Sequence, residues 1–168
     1  RIAAAAQTLG LRPGFSIDLS TRKPNGERWD LSKENDRREA IVLQAKERPL
    51  LVTGAPPCEA YAQLQSLDKG KRDPKVVANE LAEAKRNVEF CCQLYKKQYE
   101  QGRSFLYEHP AHAEAWYSEC IQDIAGLSGV KMVEGPRCRW NIQIGDAASG
   151  DGYVRNETKW LTNCAELA

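Results

Sequence analysis

A cysteine on a stiff corner of the chain is the first residue able to do chemistry. The run Gly-Ala-Pro-Pro-Cys at positions 54–58 follows an apolar segment, residues 49–54, that is typical of a buried strand. Two consecutive prolines cannot extend a central strand or continue into a helix interior, so they hold the Cys58 thiol in a fixed place. Such a thiol can act as a nucleophile, and an inert buried cysteine is the plainer alternative.

Two later motifs carry charged side chains that can hold a ligand. Glu108 closes a predicted strand before His-Pro, and a desolvated carboxyl group there can hydrogen-bond a heterocycle. Arg137 and Arg139 are two residues apart in a possible strand, so both guanidinium groups can reach one anionic or carbonyl-rich ligand. The plainer alternatives are a surface turn and two solvent-facing arginines.

Two aspartates near the start of the chain suit a nucleotide. Asp18 ends a predicted strand, and an acid at the end of a strand in a nucleotide-binding sheet commonly binds ribose hydroxyls. Asp30, the next candidate, can accept from an adenine amine. The alternative is that both are turn or capping aspartates.

Strands and helices alternate along the chain. The hydrophobic periodicity predicts helices over residues 2–9, 33–47, 76–101 and 113–124, and strands over 14–19, 49–54, 104–108, 130–134 (continuing over 137–144) and 159–162. This alternation predicts an α/β fold with a three-layer, mostly parallel, doubly wound sheet. Ligands bind at the carboxyl ends of such strands, where Asp18, Cys58 and Glu108 fall.

Length and composition bound the class of protein. The 168 residues suit one domain, residues 1–168, and a net charge of +1 does not demand a polyanionic partner. We expect no membrane span and no signal peptide. Six cysteines without a Cys-x-x-Cys pair indicate a reducing compartment, hence an intracellular protein, nuclear or cytoplasmic. Because the chain begins at Arg1 inside a predicted helix, we expect a piece cut from a longer protein.

The sequence partly matches two other chemistries. His112-Ala113-Glu114 matches half of a zinc deaminase signature, but the Pro-Cys-x-x-Cys half is absent, so we predict no metal. A cysteine hydrolase that pairs Cys58 with His109 or His112 stays open, although no Gly-rich oxyanion turn follows Cys58.

The order of these motifs resembles that of the cytosine-C5 DNA methyltransferase family. Positions 54–58 resemble its nucleophile loop, and Glu-His-Pro at 108–110 resembles its Glu-Asn-Val or Glu-Asn-Pro motif. Arg-Cys-Arg at 137–139 resembles the end of Gln-x-Arg-x-Arg, and Thr-Asn-Cys at 162–164 resembles Gly-Asn-Ser. The likeness spans position 18 to about 164, and a closer likeness is to methyltransferase-like domains of retroelement polyproteins of protists.

The resemblance implies a Rossmann-like methyltransferase fold, truncated at its N-terminus, that binds S-adenosylmethionine. Cys58 would add to C6 of a cytosine flipped out of DNA, or less favourably RNA. Glu108 would bond ring N3 and the exocyclic amine, Arg139 would contact O2, and Arg137 would support the loop or a phosphate. The cofactor would be held by four residues: Asp18, Asp30, Pro56 and Asn163.

Two departures from the family motivate a second hypothesis. The family's Phe-x-Gly-x-Gly motif is absent, and few residues follow Arg139, so we predict no separate target-recognition domain. The alternative is a catalytically inactive methyltransferase fold that binds or scaffolds within a larger polyprotein, whose other parts would supply target recognition.

Overall fold

The computed structural model describes residues 6–8, 10–58, 61, 73–136 and 157–168. The chain divides into two compact units, which we call the N-terminal unit (Arg1–Leu50) and the C-terminal unit (Leu51–Ala168). No helix in the described ranges combines the length and apolar character needed to cross a membrane.

The N-terminal unit contains one long helix, α1, Glu34–Glu47. It ends at Arg48, which has a left-handed backbone (φ 46°) and donates its N–H to the Gln44 carbonyl at 3.0 Å. The helix was predicted over residues 33–47 and is confirmed. Its buried stripe is Asp36, Ala40 and Gln44 at four-residue spacing, so two of its three members are polar.

A buried lysine explains that polar stripe. Lys23 is 8% exposed, and its Nζ lies 2.6 Å from Asp36 Oδ1 and 2.8 Å from Glu39 Oε2. The same ammonium sits 5.0 Å from the centroid of the Trp29 ring, within cation–π range. The second oxygen of Asp36 accepts from the backbone N–H of Asp30 at 2.8 Å. The unit is therefore organised around a buried ion pair beside an aromatic ring.

The strand predicted over residues 14–19 is wrong. This segment is irregular and leads into a turn at 18–20, with Phe15 38% and Leu19 67% exposed. The alternating pattern is present, but its apolar side chains are not buried against a partner strand. Asp18 instead accepts the N–H of Ser20 at 2.6 Å, and such local bonds compete with a sheet ladder.

The C-terminal unit contains a four-stranded mixed sheet in the order β1-β2-β4-β3. The strands are β1 (Leu51–Gly54), β2 (Ser104–Pro110), β3 (Lys131–Pro136) and β4 (Glu157–Thr162). β1 pairs with β2 in parallel, whereas β4 is antiparallel to both β2 and β3. The fold is thus mixed α/β, but the prediction of a mostly parallel sheet is wrong for these strands. The pattern within a strand does not specify its direction, and β4 inserts between β2 and β3 in the opposite sense.

The crossover between the parallel strands contains the longest described helix, α2, Pro74–Glu100. Asp73 caps it by accepting the N–H of Lys75 at 2.9 Å, and Pro74 occupies the first turn, where its missing N–H costs nothing. The prediction over 76–101 is confirmed to within two residues at each end. A parallel pair needs a long connection of this kind.

α2 packs on one face of the sheet through aromatic rings. Along β2 the buried residues alternate, with Phe105, Tyr107 and His109 on the α2 side and Glu108 on the other. Tyr95 of α2 stacks on Phe105 at 5.2 Å between centroids and tilts against Tyr107 at 5.9 Å. Tyr95, Tyr107 and Phe105 are the largest fully buried side chains in the described part of the chain.

The region after β2 is a short 3-10 helix, Glu114–Tyr117, followed by α3, Glu119–Ala125. One continuous helix was predicted over 113–124. The two pieces are separated at Ser118, which has an extended backbone and donates its hydroxyl to the Ala115 carbonyl at 2.6 Å. A local side-chain bond therefore replaces the helix bond at this point.

Candidate active site

The parallel pairing of β1 with β2 brings two predicted catalytic residues to the same end of the sheet. Gly54, the last residue of β1, is the register partner of Tyr107, and Glu108 follows directly. Cys58 is the fourth residue after the end of β1, in a segment without regular secondary structure. Parallel strands have their carboxyl ends at one edge, so the thiol and the carboxyl group belong to the same edge of the sheet.

Cys58 is a half-buried free thiol. Its carbonyl accepts the N–H of Tyr61 at 3.1 Å, and the Tyr61 ring is 4% exposed. That ring meets His109 edge-on, with 5.9 Å between centroids and an angle of 84°. Tyr61 therefore links the backbone of Cys58 to β2 at His109, the residue next to Glu108.

Glu108 is held by a threonine of the neighbouring strand. The buried Thr158 hydroxyl donates to Glu108 Oε1 and also lies 3.0 Å from the His109 carbonyl oxygen. A hydroxyl has one proton to donate, so these two acceptors compete for it.

His109 is a core residue in this structure. It is 1% exposed, it stacks on Tyr107 at 5.6 Å and 13°, and Trp116 lies edge-on at 6.4 Å. Neither ring nitrogen has a hydrogen-bond partner among the described residues. Burial lowers the pKa of His109, outweighing the opposite influence of Glu108, so the imidazole is neutral at pH 7. This enclosure disfavours His109 as the base of a hydrolase. The other histidine, His112, is exposed, and its Nε2 lies 3.2 Å from Glu157 Oε2.

The two aspartates predicted to bind ribose and adenine accept hydrogen bonds within their own turns in the N-terminal unit. Asp18 accepts the hydroxyl and the N–H of Ser20, and these bonds lower the pKa of Asp18. Asp30 accepts the hydroxyl of Ser32 at 2.6 Å, which lowers the pKa of Asp30, and Lys33 adds an ion pair at 3.3 Å. Both match the turn alternative considered from the sequence.

Asn163 bridges two backbone groups at the start of β2. Its side-chain oxygen accepts the N–H of Phe105, and its amide donates to the carbonyl of Arg103, both at 2.9 Å. Pro56 lies half-buried in the segment between β1 and Cys58.

The predicted arginines Arg137 and Arg139 lie outside the described residues, as does the strand continuation over 137–144.

Thr158 is a site residue that sequence reasoning missed. It lies one residue before the strand predicted over 159–162, and it is separated from Glu108 by 50 positions. A threonine in a strand is ordinary by composition. Only the antiparallel register of β2 and β4, which pairs Pro110 with Thr158, brings the hydroxyl to the carboxyl group.

Comparisons with protein-family models, curated proteins and solved structures find no match for this chain. The geometry of the site therefore has to carry the functional inference. In the described parts of the chain, no group of three or more His, Cys, Asp or Glu side chains could hold a metal ion.

Proposed function

We propose that this chain performs the covalent step of cytosine-C5 methylation on DNA, with Cys58 as the nucleophile. The observation that carries the proposal is the β1–β2 register, which gives Cys58 and Glu108 a common sheet edge. The order of motifs supports the same reaction. We also propose that the described strands form part of a three-layer, Rossmann-like sheet, because β1, β2 and β3 share one direction and only β4, inserted between β2 and β3, is reversed.

The chemistry assigns one task to each residue. The Cys58 thiolate forms a bond to C6 of the pyrimidine, the C5–C6 π pair becomes the C4–C5 double bond, and the C4–N3 π pair moves onto N3. Glu108, as the protonated acid, donates to N3 and offsets the negative charge that develops there. Thr158 positions the carboxyl group. The base has to leave the stack first, because C6 is inaccessible inside a duplex.

Three of the residues expected to hold S-adenosylmethionine make hydrogen bonds within the chain in this structure. Asp18 and Asp30 are engaged by serines of their own turns, and Asn163 uses both ends of its amide on the backbone. No methyl-transfer step is therefore derived. S-adenosylmethionine enters the proposal only through the family resemblance.

The local engagement of these side chains favours a second candidate function. The alternative is a methyltransferase fold without turnover, which binds or scaffolds within a larger polyprotein. Such a domain would retain the rigid Pro-Pro turn before Cys58 but would not bind a methyl donor. The two candidates differ in whether C6 addition and methyl transfer occur.

Covalent trapping separates these candidates. The full chain is incubated with DNA containing 2-pyrimidinone, a base electrophilic at C6 that needs no methyl donor, and with 5-fluorocytosine DNA plus S-adenosylmethionine. We expect a denaturant-stable adduct with the first DNA, lost in Cys58→Ser and kept in the matched control Cys164→Ser. An adduct with both DNAs would establish methyl transfer as well. No adduct with either would overturn the proposal in favour of the scaffolding function.

A further inference from the structure

A turn in the N-terminal unit contains the only Asn-Gly pair of the chain, Asn25–Gly26. The Gly26 N–H donates to the Lys23 carbonyl at 2.9 Å, and the Lys23 N–H donates to the Glu27 carbonyl at 2.8 Å. Gly26 has a φ of 87°, which suits a residue without a side chain. Asn25, Gly26 and Glu27 are all exposed to solvent. The catalytic proposal uses none of these residues.

The side-chain amide of Asn25 is held at both ends by Glu27. Its Oδ1 accepts the backbone N–H of Glu27 at 3.1 Å, and its Nδ2 donates to Glu27 Oε2 at 3.0 Å. A donor on Oδ1 stabilises the negative charge that develops on that oxygen when a nucleophile adds to Cγ. A carboxylate beside Nδ2 can relay a proton to that nitrogen as it leaves. Both contacts therefore favour attack at Cγ of Asn25.

The nearest nucleophile is the backbone nitrogen of Gly26, which can close a five-membered ring with Cγ of Asn25. A β carbon at position 26 would meet nothing within 4 Å, so the space around the turn is open. Glycine also has no side chain to obstruct the approach of its own nitrogen. The bond from Gly26 to the Lys23 carbonyl has to break first. Exposed turns open locally at a small cost in free energy, so this bond delays the reaction without preventing it.

We propose that Asn25 is a site of spontaneous deamidation. The Gly26 nitrogen loses its proton to a solvent base and forms a bond to Cγ of Asn25; the Cγ–Nδ2 bond breaks, and Nδ2 leaves with a proton as ammonia. Water then adds to either carbonyl carbon of the cyclic imide and opens the ring to aspartate or isoaspartate. One amide and one water give one carboxylic acid and one ammonia, so neither an oxidant nor a reductant is needed.

The products alter the turn that carries Lys23. Either product places a second carboxylate beside Glu27 and removes the hydrogen bond that the Asn25 amide donates. Isoaspartate also adds a carbon to the backbone inside the turn that Lys23 and Glu27 close. The Lys23 ammonium forms the buried ion pair with Asp36. Deamidation should therefore loosen the N-terminal unit, and isoaspartate should do so more than aspartate.

The first experiment follows the conversion itself. The full chain is kept in warm, mildly alkaline buffer, folded or in urea, and each asparagine-containing peptide is quantified by mass. We expect Asn25 of the folded chain to convert to aspartate and isoaspartate before Asn87 and Asn163, neither of which precedes a glycine. If Asn25 of the folded chain stays intact while it converts in urea, or if another asparagine converts first, the proposal is overturned.

A variant tests the contribution of Glu27. Glu27→Gln keeps the backbone donor to Oδ1 and removes the carboxylate beside Nδ2, so Asn25 should convert more slowly in the folded chain. The two proteins should convert at the same rate in urea, where the turn is absent. Equal rates in the folded state would exclude the carboxylate from the reaction.

Hydrogen exchange tests the consequence. Asn25→Asp has the new charge without the extra backbone carbon, so it is the matched control for aged protein that has been purified by charge. We expect amides over residues 10–50 to exchange faster in the aged protein than in Asn25→Asp, and amides of β2 to be unaffected. Aged protein that exchanges like fresh protein would refute the coupling of the turn to the N-terminal unit. Neither measurement depends on Cys58 or on DNA.

Discussion

The hydroxyl of Tyr95 packs directly against the α carbon of Gly54. A β carbon at position 54 would overlap this hydroxyl and would also lie 3.2 Å from Tyr95 Cζ and 3.7 Å from the Cys91 sulfur. Tyr95 is 1% exposed and stacks on Phe105, so it has no room to retreat. The glycine that ends β1 is therefore required by the close approach of α2, four positions before Cys58.

We expect Gly54→Ala to destabilise the protein by about 1–3 kcal/mol, the usual cost of overpacking a core. Urea unfolding measures this difference. Tyr95→Phe removes the overlapping oxygen, so the double variant Gly54→Ala/Tyr95→Phe should recover part of the loss. If the losses in unfolding free energy of the two single variants simply add up in the double variant, the overlap with Tyr95 is not what excludes alanine from position 54.

Glu108→Gln should slow adduct formation with 2-pyrimidinone DNA by about 100-fold, because an amide is a far weaker acid towards N3. Thr158→Val should slow it less, since it removes only the group that positions the carboxyl. The matched control is Glu134→Gln, whose carboxylate pairs with Lys159 at 3.2 Å on the edge strand β3. An unchanged time course in Glu108→Gln would exclude Glu108 from the addition step.

His109 should make stability depend on pH below neutrality. Its pKa is lowered in the folded state, so the unfolded chain, with a value near 6.5, binds the proton more readily. Its contribution is present in full above pH 6.5 and is lost as the pH falls towards the lowered folded value. His109→Phe should flatten this slope in unfolding measured from pH 7 to 5, whereas the exposed His112→Gln should retain it. A slope unchanged in His109→Phe would contradict a buried neutral imidazole.

The ion pair of the N-terminal unit should be sensitive to the loss of one partner. Asp36→Asn leaves Lys23 buried with only the half-exposed Glu39, and so should destabilise the unit more than Glu39→Gln does. Lys23 lowers the pKa of Asp36, so this stabilisation is lost as the pH falls below 3.8 through the folded value. Amide hydrogen exchange over residues 10–50 follows the unit separately. If the two variants lowered the free energy of unfolding equally, the buried Lys23–Asp36 pair would contribute no more than the more exposed Lys23–Glu39 pair.

Asn163→Ala should cost about 1–2 kcal/mol, because it leaves the buried Phe105 N–H without its acceptor. Asn163→Asp keeps that acceptor and loses the donor to Arg103, so it should be intermediate. Thermal unfolding with and without S-adenosylmethionine is the measurement. If Asn163→Ala were as stable as wild type but lost a cofactor-induced shift, Asn163 would be a cofactor residue instead.

The sequence by itself determined the two long helices, α1 and α2, and most of the described strands. The helix α2 was predicted to within two residues because apolar side chains at helical spacing run along it, and Asp73 and Pro74 then fix its first turn. β2 was readable because its apolar residues alternate and Pro110 ends it. The strand predicted over 14–19 is wrong because an alternating pattern suits a half-buried strand but does not provide the partner strand that it has to pair with.

Only the tertiary structure decided how these elements combine. The direction of β4 and its position between β2 and β3 depend on pairings between distant residues, of which local patterns carry no record. The Glu108–Thr158 contact spans 50 positions, so no local pattern announces it. The turn roles of Asp18 and Asp30 were local, yet the same residue type also binds ribose, so composition alone left the choice open. Features that depend on residues close in sequence could therefore be predicted, whereas contacts created by tertiary packing could not.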